Sequence, residues 1–315
     1  MCLNLCEDNL WYNEKLVMIP EFPELKKLEL KDKKDVDDFT SKFPPYADFN
    51  FSNMWAWDLK DEMRLSILNN NLVVRFTDYI NGQPFFSFLG ENMANETARE
   101  LITFSEKNYK VNFLKLIPEI VVNFLDKSEF DTIPDKDSHD YIFSVKHLAT
   151  MNSWKGHSSS KNIRQFLKAH PDYVIKVRSV QEILKDEYVS MFKRWAKSKG
   201  IEKLSEFNEF QAFERFLEIV DDKIKVVSLY KNNLLIGFTM FEICSDTYVI
   251  SHFSKTDTEY HGVNDLLNWE EAKILNSLNI LYANWEQDLG ISVLRKSKEK
   301  YKPVFLLNKF FVREH

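Results

Sequence analysis

The stretch from Leu281 to Pro303, LYANWEQDLGISVLRKSKEKYKP, restricts the fold more than any other part of the chain. It opens on apolar residues that read as a buried strand over 280–287. It then passes through the polar run Asn284, Glu286, Gln287 and Asp288, turns at Gly290, and continues as a basic helix with Arg295, Lys296, Lys298 and Lys300. Side chains alternate along a strand, so Asn284, Glu286 and Asp288 are expected on one face and Trp285 and Gln287 on the other. Two carboxylates and an amide at the end of a buried strand are costly unless something satisfies them. The acids can cap the next helix and pair with its cations. Alternatively they line a polar cleft at the carboxyl edge of a sheet, where α/β folds hold ligands. Helical spacing puts Arg295 and Lys298 on one face, with Lys302 just beyond.

Three strands precede this stretch, at 225–230, 234–243 and 247–255, with turns at Asn232–Asn233 and Ser245–Asp246. A loop over 256–262 leads to a helix at 264–278. On the third strand, His252 and Ser254 are expected on one face and Ser251, Phe253 and Lys255 on the other. A single histidine in an apolar strand is more often a satisfied core residue than a catalyst. Ahead of this sheet, periodicity predicts helices at 181–199 and 209–220. Further upstream, strands at 65–76 and 84–89, a helix at 95–107, a strand at 114–116 and a helix at 118–125 compose an α+β unit ending near Phe143. With 315 residues the chain suits two domains. The expected division is an N-terminal appendage at 1–17, a first domain at 18–143 and a second at 144–315, which would hold the active cleft.

Hydrophobic residues at 44% and charged residues at 29% describe a soluble globular protein. Only 7 Gly against 26 Phe argues against a glycine-rich nucleotide loop. A net charge of −6 argues against general nucleic-acid coating and leaves room for a local basic site. Cys2, Cys6 and Cys244 lack the spacing of a disulfide framework or a zinc site, so no metal is expected and a reducing, cytoplasmic setting fits. No signal peptide and no apolar run of about 20 residues is found. From Tyr141 to Pro171 there is no acid, and Lys155 to Ser160 leads into a helix expected at 161–169. Ser159, Ser160, Lys161 and Arg164 are candidate phosphate or RNA contacts there, against the plainer reading of a capped, basic surface helix. The charge run at 31–39 reads as a solvated helix or loop.

The string from Asn284 to Pro303 resembles the signature of the phosphatidylglycerol lysyltransferase C-terminal domain family. Tyr46 to Leu59, YADFNFSNMWAWDL, resembles the family's opening segment S-x-F-x-N-x-x-x-W, and Ser251 to Asp257 resembles its His-x-x-Lys-x-Asp. The similarity runs from about Tyr46 to Val312. It implies an α+β protein of two tandem acetyltransferase-like (GNAT) domains, with mixed sheets flanked by helices, related to the FemABX aminoacyl transferases. In such folds two strands splay apart to form the ligand cleft, which would bring His252 or Lys255 near Glu286 and Asp288.

The implied activity is aminoacyl or acyl transfer to an amine or hydroxyl on a small-molecule, lipid or peptide acceptor. Glu286, Asp288 and His252 are the catalytic candidates; Lys255, Asn284, Gln287, Arg295, Lys298, Tyr301 and Asn264 are the substrate-binding candidates. Full-length members carry a membrane-embedded half ahead of this domain, which this sequence does not show. Where acetyltransferases hold the coenzyme A pyrophosphate with Arg/Gln-x-x-Gly-x-Gly/Ala, this chain reads Glu259, Tyr260, His261, Gly262, Val263, Asn264. A carboxylate facing pyrophosphate is repulsive, so aminoacyl-tRNA is expected ahead of acetyl-coenzyme A as donor, with tRNA as a candidate partner. At 159–161 the chain lacks the family's fuller Lys-Arg-Asn run. Two other readings stand beside this one: a coenzyme A-dependent N-acetyltransferase, and a non-catalytic tandem fold that binds a ligand or a tRNA end.

Overall fold

Asparagine pairs close two of the hairpins. Asn69 and Asn70 have φ of 51° and 60°, and Asn232 and Asn233 have 51° and 62°. Such paired left-handed residues match the twist of the flanking strands in two-residue hairpins. The computed structural model describes residues 19–78 and 82–315, so the expected appendage at 1–17 lies outside the described residues.

The first half contains β1 (Lys26–Lys27), α1 (Lys33–Thr40), α2 (Phe51–Trp57), β2 (Arg64–Leu68), β3 (Asn71–Thr77), β4 (Pro84–Leu89), α3 (Ala94–Tyr109), β5 (Leu114–Pro118), α4 (Glu119–Val122) and β6 (Phe130–Pro134). The chain continues through β7 (Asp140–Ser144), α5 (Val145–Leu148), α6 (Ser158–Ala169), β8 (Val174–Ser179), α7 (Lys185–Ser198), α8 (Asn208–Phe216) and β9 (Ile224–Lys231). It closes with β10 (Leu234–Ile243), β11 (Tyr248–Thr256), α9 (Val263–Ser277), β12 (Tyr282–Asn284), α10 (Ser292–Lys300), β13 (Phe305–Leu307) and β14 (Lys309–Glu314). Three elements differ usefully from expectation. The strand expected over 280–287 stops at Asn284, the helix expected from 161 begins at Ser158, and the helix expected from 181 begins at Lys185.

Two seven-stranded mixed sheets result, ordered β1-β2-β3-β4-β5-β14-β6 and β13-β7-β12-β11-β10-β9-β8. Each has one parallel neighbour pair, β4 with β5 and β11 with β12, bridged by α3 and α9 respectively. The remaining pairs are antiparallel. The sheets exchange strands across the division expected at 143/144: β7 lies beside β12 in the second sheet, and the C-terminal β14 lies between β5 and β6 in the first.

Apolar burial follows the layers. Leu101, Phe86 and Val121 pack under α3, while Leu266, Phe241 and Ile163 pack under α9 and α6. Phe192, Phe213 and Phe238 fill the space beneath α7 and α8. A fourth cluster, with Phe49, Phe51, Leu65 and Ile142, occupies the seam where α1 and α2 sit between the two halves. No helix of the described residues is long and apolar enough to cross a membrane.

Candidate active site

β11 and β12 run side by side for three residue pairs, ending at Ile250 and Asn284, and β11 alone continues to Thr256. At the parting point β11 carries a bulge. Met240 pairs with Phe253 and Phe241 with Ser251, so His252 is the extra residue without a cross-strand partner. A bulge breaks the alternation and re-aims side chains. Ser251 therefore turns to α9, where its hydroxyl donates to Glu271 Oε1 at 2.8 Å. Phe253 packs with Phe213 and Phe216 of α8. Ser251 and Phe253 do not share the face that unbroken alternation predicts.

His252 turns into the seam with its side chain 1% exposed. Its Nδ1 lies 2.9 Å from Asn53 Oδ1 and 3.3 Å from Glu286 Oε1, and its Nε2 lies 3.3 Å from Glu242 Oε2. Asn53 Nδ2 donates to the Ala47 carbonyl at 3.1 Å and to Glu286 Oε1 at 2.8 Å. With both amide hydrogens committed, Asn53 Oδ1 is an acceptor and His252 Nδ1 carries a proton. Burial works against a charged ring, but the Glu242 and Glu286 carboxylates outweigh it and raise the His252 pKa. A buried, proton-bearing imidazole is a poor base, so His252, one of the three catalytic candidates, is badly placed to accept a proton from a substrate.

Glu286 takes a left-handed backbone, φ 59°, which ends the strand alternation and separates it from Asp288. That conformation is held by three contacts. Its N–H donates to Asn284 Oδ1 at 2.7 Å, and its carbonyl accepts from the Tyr141 N–H at 3.1 Å and from Lys298 Nζ at 2.9 Å. The side chain is 18% exposed, and among the described residues nothing hydrogen-bonds its Oε2. A carboxylate with one oxygen anchored and one uncommitted can take a proton from a substrate.

Asp288 is the opposite case. Arg295 binds it with Nε to Oδ2 at 2.7 Å and Nη2 to Oδ1 at 2.9 Å, the Tyr141 hydroxyl donates to Oδ2 at 2.7 Å, and the Gly290 N–H donates to Oδ1 at 2.8 Å. Burial pushes its pKa up, but these donors prevail and hold it at about 2. Arg295 also reaches Asp137 Oδ1 at 2.7 Å. The pairing of strand-end acid with helix cation thus accounts for Asp288 and Arg295, and neither is left facing a substrate.

Lys298 lies on the same helical face as Arg295, as its spacing predicts. Its ammonium donates to the carbonyls of Trp285, Glu286 and Gln287. Burial lowers its pKa to about 8. Asn284 is fully buried as well, donating to the Pro45 carbonyl at 2.8 Å and to Asp140 Oδ2 at 3.2 Å. Both residues shape the 284–288 turn. Gln287 Oε1 is buried with no partner among the described residues.

The other candidates fall elsewhere. Lys255, on the α7–α8 side of the sheet, bonds Glu209 Oε1 at 2.6 Å and covers the Trp195 ring at 4.3 Å. Burial lowers its pKa. Tyr301 donates to Asp265 Oδ1 at 2.7 Å and accepts from Asn264 Nδ2 at 3.1 Å, bracing the start of α9. Ser159 and Ser160 form the first turn of α6 and are 0% exposed. Ser160 donates to the Asn152 carbonyl at 2.7 Å, and Arg164 binds the same carbonyl at 3.1 Å. Those hydroxyls cannot cradle a phosphate as placed. Lys161 is exposed.

Two residues of the network, Glu242 and Lys33, were not singled out from sequence; Asn50 and Asn53 read there as short polar residues that could face a ligand, with caps and turns explaining them equally well. Glu242 Oε2 accepts from Asn50 Nδ2 at 2.9 Å, and its Oε1 accepts from Lys33 Nζ at 2.8 Å. Burial raises the pKa of Glu242, but His252 and Lys33 overcome it and hold it well below the usual range. Lys33 also reaches Asp37 at 2.7 Å and Asp221 at 2.8 Å, so an ammonium already fills the space among three carboxylates that lie close enough to hold a metal. The legible signal for Glu242 was a lone acid inside the apolar run LLIGFTMFEI. Beside Glu242 and Asn50 opens a cavity of about 300 Å³, walled by Phe43, Pro45, Phe49 and Tyr248.

Among solved structures, the chain is similar to a conserved protein of unknown function from Bacteroides thetaiotaomicron, with 25% identity, a TM-score of 0.78, and 95% of this chain and 100% of that one covered. L-PGS from Bacillus licheniformis shares the fold at 13% identity, with a TM-score of 0.61 and coverage of 91% and 92%. A tandem GNAT protein from the clavulanic acid biosynthesis pathway does so at 10% identity, with a TM-score of 0.51 and coverage of 92% and 98%. The two acetyltransferase-like units expected from sequence are thus the observed fold. No curated protein matches the chain. Residues 40–313 match the family described as phosphatidylglycerol lysyltransferase, C-terminal, and the chain belongs to that family.

Proposed function

We propose that this protein transfers an aminoacyl group from an activated ester, with aminoacyl-tRNA as donor, to an amine or hydroxyl acceptor. Family membership supports acyl or aminoacyl transfer in general. The observation that carries the finer reading is Glu286. Its carboxylate stands where β11 and β12 part, with one oxygen held by Asn53 at 2.8 Å and the other uncommitted. In the proposed reaction the acceptor attacks the ester carbonyl and Glu286 takes its proton. The new C–N or C–O bond forms as the ester C–O bond breaks, and Glu286 returns the proton to the leaving ribose hydroxyl. His252, too buried to touch substrate, balances the Glu286 charge.

Acetyl-coenzyme A suits the α9 start poorly. A Cβ on Gly262 would lie 2.5 Å from the Asn162 carbonyl oxygen, so α6 is packed directly onto the turn where a pyrophosphate would rest. Glu259 adds its carboxylate nearby. The test compares binding and consumption of mixed aminoacyl-tRNA with those of acetyl-coenzyme A across a salt series, using wild-type protein and Glu286→Gln. The expected result is salt-sensitive aminoacyl-tRNA binding and label transfer that Glu286→Gln abolishes. Salt-insensitive coenzyme A binding with acetyl transfer would overturn the proposal.

A further inference from the structure

Asn50, the N-cap of α2, and Asn53, in its first turn, each hold one of the two carboxylates that bracket His252. Asn50 Nδ2 donates to Glu242 Oε2 at 2.9 Å, and that oxygen lies 3.3 Å from His252 Nε2. Asn53 Nδ2 donates to Glu286 Oε1 at 2.8 Å, and that oxygen lies 3.3 Å from His252 Nδ1. Glu242 comes from β10, His252 from β11 and Glu286 from the turn after β12. The asparagines come from the first half of the chain, on a helix whose own N-cap is Asn50.

We infer that Asn50 and Asn53 are positioning residues, and that the Glu286 site is complete only when α2 of the first half clamps the carboxylate–imidazole–carboxylate row of the second. The inference rests on the reading of Glu286 as the proton acceptor. Its physical basis is the donor requirement of the row. Two carboxylates around one imidazole share a single cation, and each needs a further donor to stay buried. A neutral amide supplies that donor without adding charge. On the Glu242 side Lys33 of α1 adds the remaining cation, at 2.8 Å. On the Glu286 side Lys298 of α10 binds the backbone carbonyl at 2.9 Å. The Phe216 ring of α8 closes the last face of His252 with a centroid separation of 4.8 Å. Other charges near the row are Asp37 and Asp221 around Lys33, and Asp48, whose field reaches Glu286.

Replacing the clamp's amide by an acid tests this without removing volume. In the full chain carrying Asn53→Asp, a third carboxylate faces His252 Nδ1. The His252 midpoint, followed by side-chain NMR and assigned with His252→Asn, is expected to rise by about one pH unit or more. Loss of the Asn53 donor should also lower transfer at least tenfold at neutral pH and move the pH–rate profile with the histidine. Asn50→Asp, repelling Glu242, is expected to raise the same midpoint while leaving the Glu286 hydrogen bonds in place. An unmoved midpoint in folded Asn53→Asp overturns the inference. So does a moved midpoint with a wild-type rate and profile. If Asn53→Asp fails to fold, Asn53→Ser keeps the volume small and neutral, and a wild-type rate there overturns the inference equally. Full turnover in Glu286→Gln would remove the transfer reading instead, while the histidine titration still reports on the clamp.

Discussion

Asp288 receives the Arg295 fork, the Tyr141 hydroxyl and the Gly290 N–H, so both its oxygens are engaged, whereas Glu286 keeps one oxygen uncommitted. Substitution should separate the two. Glu286→Gln is expected to leave the melting temperature nearly unchanged and to abolish transfer. Asp288→Asn should lower the melting temperature by several degrees while retaining part of the activity. The acid limb gives an independent check. The folded Asp288 pKa of about 2 lies below the unfolded value of about 3.9, so its stabilisation is complete above the latter and is lost as pH falls through the former. Melting curves of wild type and Asp288→Asn should therefore converge toward pH 2, and a constant gap from pH 7 to pH 2 would contradict the assignment. Lys298 makes a second comparison at this scale. Lys298→Ala uncaps three carbonyls around Glu286 and should reduce both stability and transfer, while Lys296→Ala, on the exposed side of α10, should change neither beyond assay error.

Element by element, the strands and long helices were legible because their signals are local: asparagine pairs at hairpins, and apolar spacing along α3, α8 and α9. The site was legible only in part. Of the approaches of His252 or Lys255 to Glu286 and Asp288 that the splayed strands imply, the structure makes that of His252 to Glu286, at 3.3 Å, and that much was expected. The bulge at His252 was not, since a one-residue insertion leaves no mark on period-two alternation beyond the extra residue itself. The left-handed turn at Glu286 was hidden because a glutamate carries no preference for it. For Asn50 and Asn53 a ligand-facing role and a plain cap or turn were equally good readings. Asn50 is a cap, accepting from the Asn53 N–H at 3.0 Å, and its second role depends on strands far away in sequence. The serines of α6 misled for the reverse reason, because a helix that starts one turn earlier buries them. Gly262 is the element-scale test of that packing. Gly262→Ala places a methyl group 2.5 Å from the Asn162 carbonyl oxygen at a φ of +85°. The left-handed backbone alone costs about 1–2 kcal/mol, so the urea midpoint should fall by more than that amount implies, and a wild-type midpoint would show that α6 yields.

At the scale of the whole molecule, strand exchange makes the two halves depend on each other. β14 runs antiparallel to both β5 and β6, so the last strand of the chain sits inside the first sheet, while β7 completes the second. Division at 143/144 therefore leaves each half lacking an interior strand, with unpaired backbone groups along a buried edge. Lys309 is the pivot of this arrangement. It stands on β14 with its side chain 1% exposed, its ammonium bonds Asp140 Oδ1 of β7 at 2.6 Å, and it also pairs with Asp48 ahead of α2. Asp140 in turn accepts from the Ala47 N–H at 2.8 Å and from Asn284 at 3.2 Å, which ties the exchanged strands to the turn carrying Glu286. Burial disfavours the Lys309 charge, but Asp140 and Asp48 outweigh it and raise its pKa. Lys309→Met removes the cation and leaves two buried carboxylates facing each other. Breaking a buried pair in this way costs about 3–5 kcal/mol, and the loss should appear as a single cooperative transition shared by both sheets. Hydrogen exchange would show it directly: amides of β5 and β12 should lose protection together, although Lys309 sits in only one of their sheets. Loss confined to β5 and β6 would mean that the halves fold independently and that the exchange is only a matter of chain path.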